Sequence, residues 1–220
     1  MGSSDRRALL AGATGLVGRA LLPLLSREYA SVELLVRRAV DLGTDVRLHL
    51  HAVDFADLPQ PLPGVDDVYV ALGTTIKMAG SQAAFRAVDL DAVVATARAA
   101  RAAGATRLGV VSALGADARS SVFYNRVKGE MEAAVAALGY ESVTIAQPSL
   151  LLGDRAALGQ PVRRIEALTM RLSGPLLGLV PRSVRPIRVS DVAAALVAAV
   201  RAGNPGVATL SSAQMQRAGS

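Results

Sequence analysis

Three glycines at a spacing of three residues follow the first apolar run of the chain, and they constrain its fold more than any other feature. The run covers residues 8–11, and the glycines are Gly12, Gly15 and Gly18. A strand that ends in a tight glycine turn and continues into a helix presents free backbone N–H groups and the positive helix end to an anion. Gly12 and Gly15 would allow the turn and the approach of a pyrophosphate, and Gly18 the close packing of helix on strand. The pattern predicts a dinucleotide-binding βα unit.

The rest of the chain alternates apolar strand-like runs with Ala-rich amphipathic stretches, which is typical of repeated βαβ units. With 220 residues, 51% hydrophobic and only 3% aromatic, the chain suits one α/β domain over residues 1–220, whose core is built from Ala, Val and Leu. Strands are predicted near 7–11, 32–36, 46–53, 67–72, 107–112, 142–147 and 186–189, and helices near 16–28, 82–103, 121–138 and 191–202. We therefore expect a doubly wound parallel sheet, with the Gly- and Pro-punctuated residues 148–188 as a small irregular substrate cap.

Composition excludes several other classes of protein. The chain has no cysteine, so disulfides and thiolate metal sites are excluded, and a reducing cytoplasm is the expected location. It has no signal-peptide core and no apolar run long enough to span a membrane. The formal net charge of +6 comes from scattered arginines without a basic run, so we expect a small-molecule ligand rather than a nucleic acid. His49 and His51 lack a third ligand nearby, and no metal site is predicted.

Two arginines after the second predicted strand indicate which dinucleotide is bound. Arg37 comes nineteen residues after Gly18, where a dinucleotide fold meets the adenosine ribose, and Arg38 follows it. An acidic residue at this place would bind the two ribose hydroxyls of NAD, but there is none. Two guanidinium groups can instead bind a 2′-phosphate with charge-assisted hydrogen bonds, which favours NADP(H). Asp54 and Phe55, after the third strand, are expected to hold the edge and the face of the adenine.

The pair Tyr124 and Lys128 is the main candidate for catalysis. Lysine is scarce, since only Lys77 and Lys128 are lysines among 24 basic residues. Residues four apart share one face of a helix, so the ammonium group could lower the pKa of the phenol and let it exchange a proton near neutral pH. Ser112 ends the fifth predicted strand, twelve residues before Tyr124, and could lie opposite it across the cofactor.

Taken together, these motifs resemble the atypical short-chain dehydrogenases/reductases, and most closely the Tat-interacting oxidoreductase-like family. The resemblance covers roughly residues 7–202 and rests on the glycine turn, Arg37-Arg38, the segment Leu72-Gly-Thr-Thr75 with Ala79-Gly80, and Tyr124-x-x-x-Lys128-Gly-Glu130. It implies an extended-type Rossmann fold that binds NADPH, with Ser112, Tyr124 and Lys128 in the reductase positions. Asp89 departs from the superfamily, because many members carry there an Asn that orders a proton-relay water.

Two functions follow from this reading. The first is the NADPH-dependent reduction of a carbonyl or a related weakly polar substrate, with Tyr124 as proton donor. The second is an NADPH-binding regulatory protein that recruits a protein partner and has little or no catalysis. The predicted cofactor site consists of Gly12, Thr14, Gly15, Leu16, Val17, Gly18, Arg37, Arg38, Asp54, Phe55, Leu72, Gly73, Thr74, Tyr124, Lys128 and Pro148.

Overall fold

A seven-stranded parallel sheet forms the centre of the protein. The computed structural model describes residues 4–40, 45–153, 181 and 183–218. The strands of this sheet are β1 (Ser4–Ala11), β2 (Tyr29–Val36), β3 (Leu48–Ala52), β4 (Asp67–Val70), β5 (Arg107–Val111), β6 (Ser142–Gln147) and β9 (Gly206–Ser211). They lie in the order β3-β2-β1-β4-β5-β6-β9, and every pairing is parallel. This is the dinucleotide-fold order with one further strand.

Helices cover both faces of the sheet. They are α1 (Leu16–Glu28), α2 (Ile76–Ala79), α3 (Gln82–Arg86), α4 (Val93–Ala102), α5 (Phe123–Ala136), α6 (Val189–Ala202) and α7 (Ser212–Ala218), with a π-helical turn at Ala87–Ala92 between α3 and α4. Residues of α1 and α6 share one buried apolar cluster, and residues of α3, α4 and α5 share the other. Gly109 in β5 lets α6 approach, because a Cβ there would press on Leu196 and Val200.

The predicted doubly wound fold is confirmed, with three differences. Sequence reading missed the edge strand β9 and the helix α7 that follows it, because Gly206–Ser211 is a short and mostly exposed segment without a long apolar run. The predicted helix 82–103 contains the π-helical turn. Of the predicted cap 148–188, residues 154–180 and 182 lie outside the described residues, and the described part holds the small strands β7 (Leu151–Leu152) and β8 (Ile187–Arg188), which pair with each other.

The amino ends of β1, β2 and β4 bury a polar cluster. Asp67 is fully buried, and its carboxylate accepts hydrogen bonds from the Arg6 guanidinium and, at 2.6 Å, from the Tyr29 hydroxyl. The Tyr29 and Tyr69 hydroxyls lie 2.7 Å apart. Burial raises the pKa of both tyrosines above the usual range, so both stay neutral donors. We call these four residues the amino-end cluster.

No helix among the described residues is long and apolar enough to cross a membrane.

Candidate active site

A cleft opens at the carboxyl edge of the sheet, above β1 and β4. These neighbouring strands are the point where the strand order reverses, and open α/β sheets bind their ligands at this point. The described residues that line the cleft are Gly15, Leu16, Val17, Ala71, Leu72, Gly73, Thr74, Thr75, Met78, Asp89, Val111, Ser112, Ala113, Tyr124, Lys128, Pro148, Ser149, Leu150 and Leu151. The cleft thus brings Gly15 of the predicted glycine turn together with all three predicted catalytic residues.

The three glycines of the turn have different roles. Gly12 has φ +92°, and a Cβ there would lie 2.6 Å from the backbone of Ala71, so this position serves the fold. A Cβ at Gly18 would meet the backbone of Gly12, which agrees with the predicted close packing of helix on strand. A Cβ at Gly15 would be in ordinary van der Waals contact with the Gly12 carbonyl oxygen, at 3.4 Å, so the fold itself has room for a side chain at Gly15, which lines the cleft.

Gly15 is also the N-cap of α1, and no side chain caps this helix end. Its N–H is used within the turn, where it donates to the Gly12 carbonyl at 3.0 Å. Among the other predicted residues of the turn, Thr14 is exposed and Leu16 half-buried, while Val17 is buried in the core and still reaches the cleft wall. A helix end without a side-chain cap at the wall of a cleft is suited to a phosphate group.

The predicted adenosine site lies at the ends of β2 and β3. Arg37 and Asp54 line one shallow depression, and Arg38 is exposed beside it. The Asp54 carboxylate accepts a hydrogen bond from the Ala56 N–H at 2.9 Å and so holds the following turn. Phe55 requires a correction, because its side chain is 9% exposed and packs in the core. Its ring is therefore not free to lie against an adenine face. The apolar side chain of Phe55 contributes to the packing of the core instead.

The loop after β4 forms the floor of the cleft, and its sequence explains its shape. Leu72 is half-buried, Gly73 is exposed, and the Thr74 N–H points to Asp89. The Thr75 hydroxyl caps α2 by accepting from the Met78 N–H at 3.1 Å. The capping glycine and serine that follow, Gly80 with φ +83° and Ser81 as the cap of α3, make this a fixed helical bend.

A buried ion pair lies beside this loop. Asp89 belongs to the π-helical turn and is 1% exposed, and its Oδ1 lies 2.7 Å from the Nζ of Lys128 on α5. The other oxygen, Oδ2, accepts from the Thr74 N–H at 2.8 Å. π-Helical turns occur often at functional sites, because one extra residue changes the direction of the side chains around it. The sequence marked Asp89 only as a residue that replaces the Asn of many superfamily members, and its pairing with Lys128 was not predicted.

Helix α5 places Tyr124 and Lys128 together in the cleft wall, as their spacing predicts. The ring of Tyr124 is half-buried and packs at 5.5 Å, between centroids, against the ring of Phe85. Gly129, which follows Lys128, lets the loop after β5 lie directly on α5, since a Cβ there would overlap the backbone of Asp117 and Ala118. The glycine in this motif therefore controls the distance between the loop and the helix.

Ser112 lies at the end of β5, in the same cleft. Its backbone N–H donates to the Ala146 carbonyl at 2.8 Å, which anchors it to β6. Its side chain is buried, and its Oγ has no hydrogen-bond partner among the described residues. A buried hydroxyl without a partner costs free energy, so a ligand that supplies one is the natural explanation.

Pro148 and Ser149 connect the cleft to the C-terminal segment. Pro148 is buried, and its carbonyl accepts from the Leu114 N–H at 2.9 Å. The hydroxyls of Ser149 and Ser212 lie 2.9 Å apart, so α7 holds the strand that follows Ser149 in place. The histidines behave as surface residues of β3, where His51 pairs with Glu33 at 2.6 Å and His49 is exposed. The described ranges contain no group of three potential metal ligands.

Comparisons with known proteins agree with this geometry. The family described as NAD(P)H-binding matches residues 12–162. Protein FMP52, mitochondrial, of Eremothecium gossypii is 36% identical over 152 residues, which cover 67% of this chain and 67% of the relative. Protein HTATIP2 of Rattus norvegicus is 33% identical over 158 residues, 69% of this chain and 65% of the relative. The chain thus spans about two thirds of the length of these curated relatives.

Solved structures give the same fold at low sequence identity. MoeE5 in complex with UDP-glucose and NAD has a TM-score of 0.70 at 19% identity, over 93% of this chain and 75% of that chain. The human epimerase family protein SDR39U1 with NADPH has a TM-score of 0.63 at 17% identity, over 94% and 77%. Proteins with this fold therefore hold either nucleotide, and at this identity the likeness speaks for the fold alone.

Proposed function

Because this chain belongs to the atypical short-chain dehydrogenases/reductases, in the Tat-interacting oxidoreductase-like group, we propose that it is an NADPH-dependent oxidoreductase acting on a carbonyl or a related small, weakly polar substrate. The observation that carries the proposal is the Ser112 Oγ, which is buried in the cleft that Tyr124 and Lys128 also line and has no hydrogen-bond partner within the described part of the chain. The fold and the family account for nucleotide binding. The buried hydroxyl needs a hydrogen-bond partner, and a substrate oxygen would supply one.

The residues of the cleft fit a nicotinamide nucleotide. The cleft wall at Gly15 and the start of α1, which has no side-chain cap, suit the pyrophosphate, and the depression at Arg37 and Asp54 suits the adenosine. We propose NADP(H) rather than NAD(H), since exposed Arg37 and Arg38 follow β2 where an acidic residue would favour NAD.

The chemistry divides between cofactor and chain. NADPH, when bound, supplies the hydride of the reaction. We assign Ser112 to bind the substrate oxygen through its hydroxyl, and Tyr124 to donate the proton to that oxygen. Lys128 would contact the nicotinamide ribose while Asp89 holds its ammonium group in place.

Several apolar side chains contribute to the wall of the cleft. Met78, Leu150 and Leu151 lie there together with Ala113, and the charges of Asp89 and Lys128 offset each other. A neutral carbonyl compound with an apolar substituent is therefore the class that we propose.

Native mass spectrometry of the purified protein, followed by a panel of carbonyl compounds and quinones, tests the proposal. We expect retained or added NADPH to bind at one site per chain, and at least one neutral carbonyl compound to be reduced. The spectrometric shift reports the nucleotide, and the loss of NADPH absorbance reports the turnover. Absence of nucleotide binding would contradict the proposal at its first step.

A second function is supported by the Asp89–Lys128 pair. The Lys128 ammonium is already paired with the Asp89 carboxylate. By the family resemblance, Asp89 takes the position at which many members of the superfamily carry the Asn of a proton relay. A protein with this arrangement could hold NADPH as a ligand that stabilises a surface for a protein partner. Tight NADPH binding without turnover across the whole panel would favour this regulatory function over the reductase.

The extent of the domain and the location of the protein in the cell are two further proposals. We propose that residues 1–220 act as one nucleotide-binding domain to which residues 148–188 contribute the substrate cap. We also propose a cytoplasmic location, because a chain of 220 residues without cysteine gains nothing from an oxidising compartment, although fungal relatives are named as mitochondrial. Fractionation of cells that produce the tagged full-length chain distinguishes the two locations.

A further inference from the structure

The cleft contains one buried pair of opposite charges that the proposed reaction uses only in part. The side chains of Asp89 and Lys128 are 1% and 4% exposed, and Oδ1 and Nζ lie 2.7 Å apart. Among the described residues that line the cleft, these two carry the only formal charges. Their positions are held from three directions, by the π-helical turn, by α5 and by the Thr74 N–H.

The charge of this pair matters because the two forms of the nicotinamide differ in charge. The oxidised ring carries a positive charge, and the reduced ring is neutral. A lone ammonium group in the cleft would disfavour the oxidised ring, and a lone carboxylate would favour it, and poor solvation strengthens both effects. A residue that neutralises the ammonium therefore changes how strongly the site prefers one oxidation state.

We infer that the Asp89–Lys128 pair sets the relative affinity of the site for the two oxidation states of the nicotinamide. Asp89 lowers the preference for NADPH over NADP⁺ that Lys128 alone would impose. It would therefore favour the positive charge that forms on the nicotinamide ring when the ring donates its hydride. Asp89 acts here as a positioning and charge-setting residue. The inference rests on the proposed nucleotide site and concerns binding, so it can be tested without a substrate.

A double-mutant cycle on Asp89 and Lys128, in the chain of 220 residues, tests the inference. The dissociation constants of NADPH and NADP⁺ are measured at neutral pH for the parent, Asp89→Asn, Lys128→Met and the double variant. Asn can still accept from the Thr74 N–H, and Met keeps the aliphatic stem of the lysine. Asp67→Asn is the matched control, because Asp67 is also a buried aspartate paired with an arginine, at the opposite end of the sheet.

The single variants should change the ratio of the two dissociation constants in opposite directions. One charge at several Å in a partly solvated site corresponds to a change of about threefold to thirtyfold. Asp89→Asn should shift the ratio towards NADPH and Lys128→Met towards NADP⁺. The double variant and Asp67→Asn should stay within about twofold of the parent.

Several outcomes would overturn the inference. A single variant that binds both nucleotides at the parent ratio contradicts it, and so do two changes in the same direction. If one single variant loses all binding, the other decides. Loss of both nucleotides by both single variants would indicate a structural role alone and also overturn it. A parent protein that binds neither nucleotide contradicts the proposed function instead.

Discussion

The two ends of the parallel sheet each bury an aspartate beside a cation, yet they differ in what they leave open. At the amino end, the Asp67 carboxylate accepts hydrogen bonds from Arg6 and Tyr29, and the Tyr69 hydroxyl lies next to that of Tyr29. At the carboxyl end, Asp89 is bonded by Lys128 and the Thr74 N–H, but the Ser112 Oγ beside them has no partner among the described residues.

This difference separates structural from functional polar groups. Burial and an ion pair occur at both ends, so neither property by itself marks a site. What distinguishes the carboxyl end is a cleft lined by Gly15, a helix start without a side-chain cap, and a buried hydroxyl that has no partner among the residues that the structure describes. Substitution of the groups that distinguish the carboxyl end should therefore change ligand binding or turnover, and substitution in the amino-end cluster should change stability.

The largest effect is expected for Tyr124→Phe. The change removes the proposed proton donor and keeps the ring that packs on Phe85, so turnover should fall by roughly 10²–10⁴-fold while NADPH still binds. Steady-state kinetics with a substrate from the panel and a parallel NADPH titration measure both. Tyr69→Phe is the control, since it removes a hydroxyl from the amino-end cluster and should leave kcat unchanged. Undiminished turnover in Tyr124→Phe would refute its role as proton donor.

Gly15→Ala and Gly12→Ala should separate ligand binding from folding at one turn. Gly15 has room for a Cβ in the protein, so Gly15→Ala should fold normally and bind NADPH at least about 100-fold more weakly, because the methyl group fills the phosphate space. Gly12→Ala should fail to fold stably, since φ is +92° and the Cβ meets the Ala71 backbone. Thermal unfolding with and without NADPH measures both effects. A Gly15→Ala protein with the full ligand-induced rise in Tm would contradict this assignment.

Arg37→Ala combined with Arg38→Ala should remove the preference for NADPH over NADH. Both side chains are exposed, so screened contacts to a 2′-phosphate should contribute about 10- to 100-fold in affinity. Fluorescence titration of both nucleotides in parent and double variant gives the ratio. NADH affinity should stay the same, which serves as the internal control. Equal affinity for the two nucleotides in the parent would contradict the proposed NADP(H) preference.

The smallest effect is expected at the amino end. Asp67→Asn removes the charge that Arg6 and Tyr29 bond, and should lower the free energy of unfolding by about 1–2 kcal/mol, because Arg6 is partly solvated and the amide keeps one acceptor. Denaturant unfolding measures it. The affinity for NADPH should not change. A large loss of NADPH affinity in a folded Asp67→Asn protein would remove the distinction between the two ends.

Short-range patterns predicted the parts of the fold and site that depend on neighbours in the chain. The glycine turn follows from its spacing, and the i, i+4 spacing put Tyr124 and Lys128 in one cleft wall. Gly104 and Gly139 follow helices α4 and α5 with positive φ, as helix-terminating glycines do. The strand β9 escaped prediction because an exposed edge strand carries little apolar pattern.

The amino-acid sequence by itself determined the doubly wound sheet, the nucleotide-binding turn and the positions of Ser112, Tyr124 and Lys128 at one edge, because strand and helix periodicity and glycine torsions act over a few residues. Only the tertiary structure decided that Lys128 pairs with Asp89, thirty-nine residues away, and that the Phe55 ring lies in the core. Burial and charge pairing depend on which elements meet in space. Such meetings follow from packing of the whole fold, and local sequence patterns do not encode them.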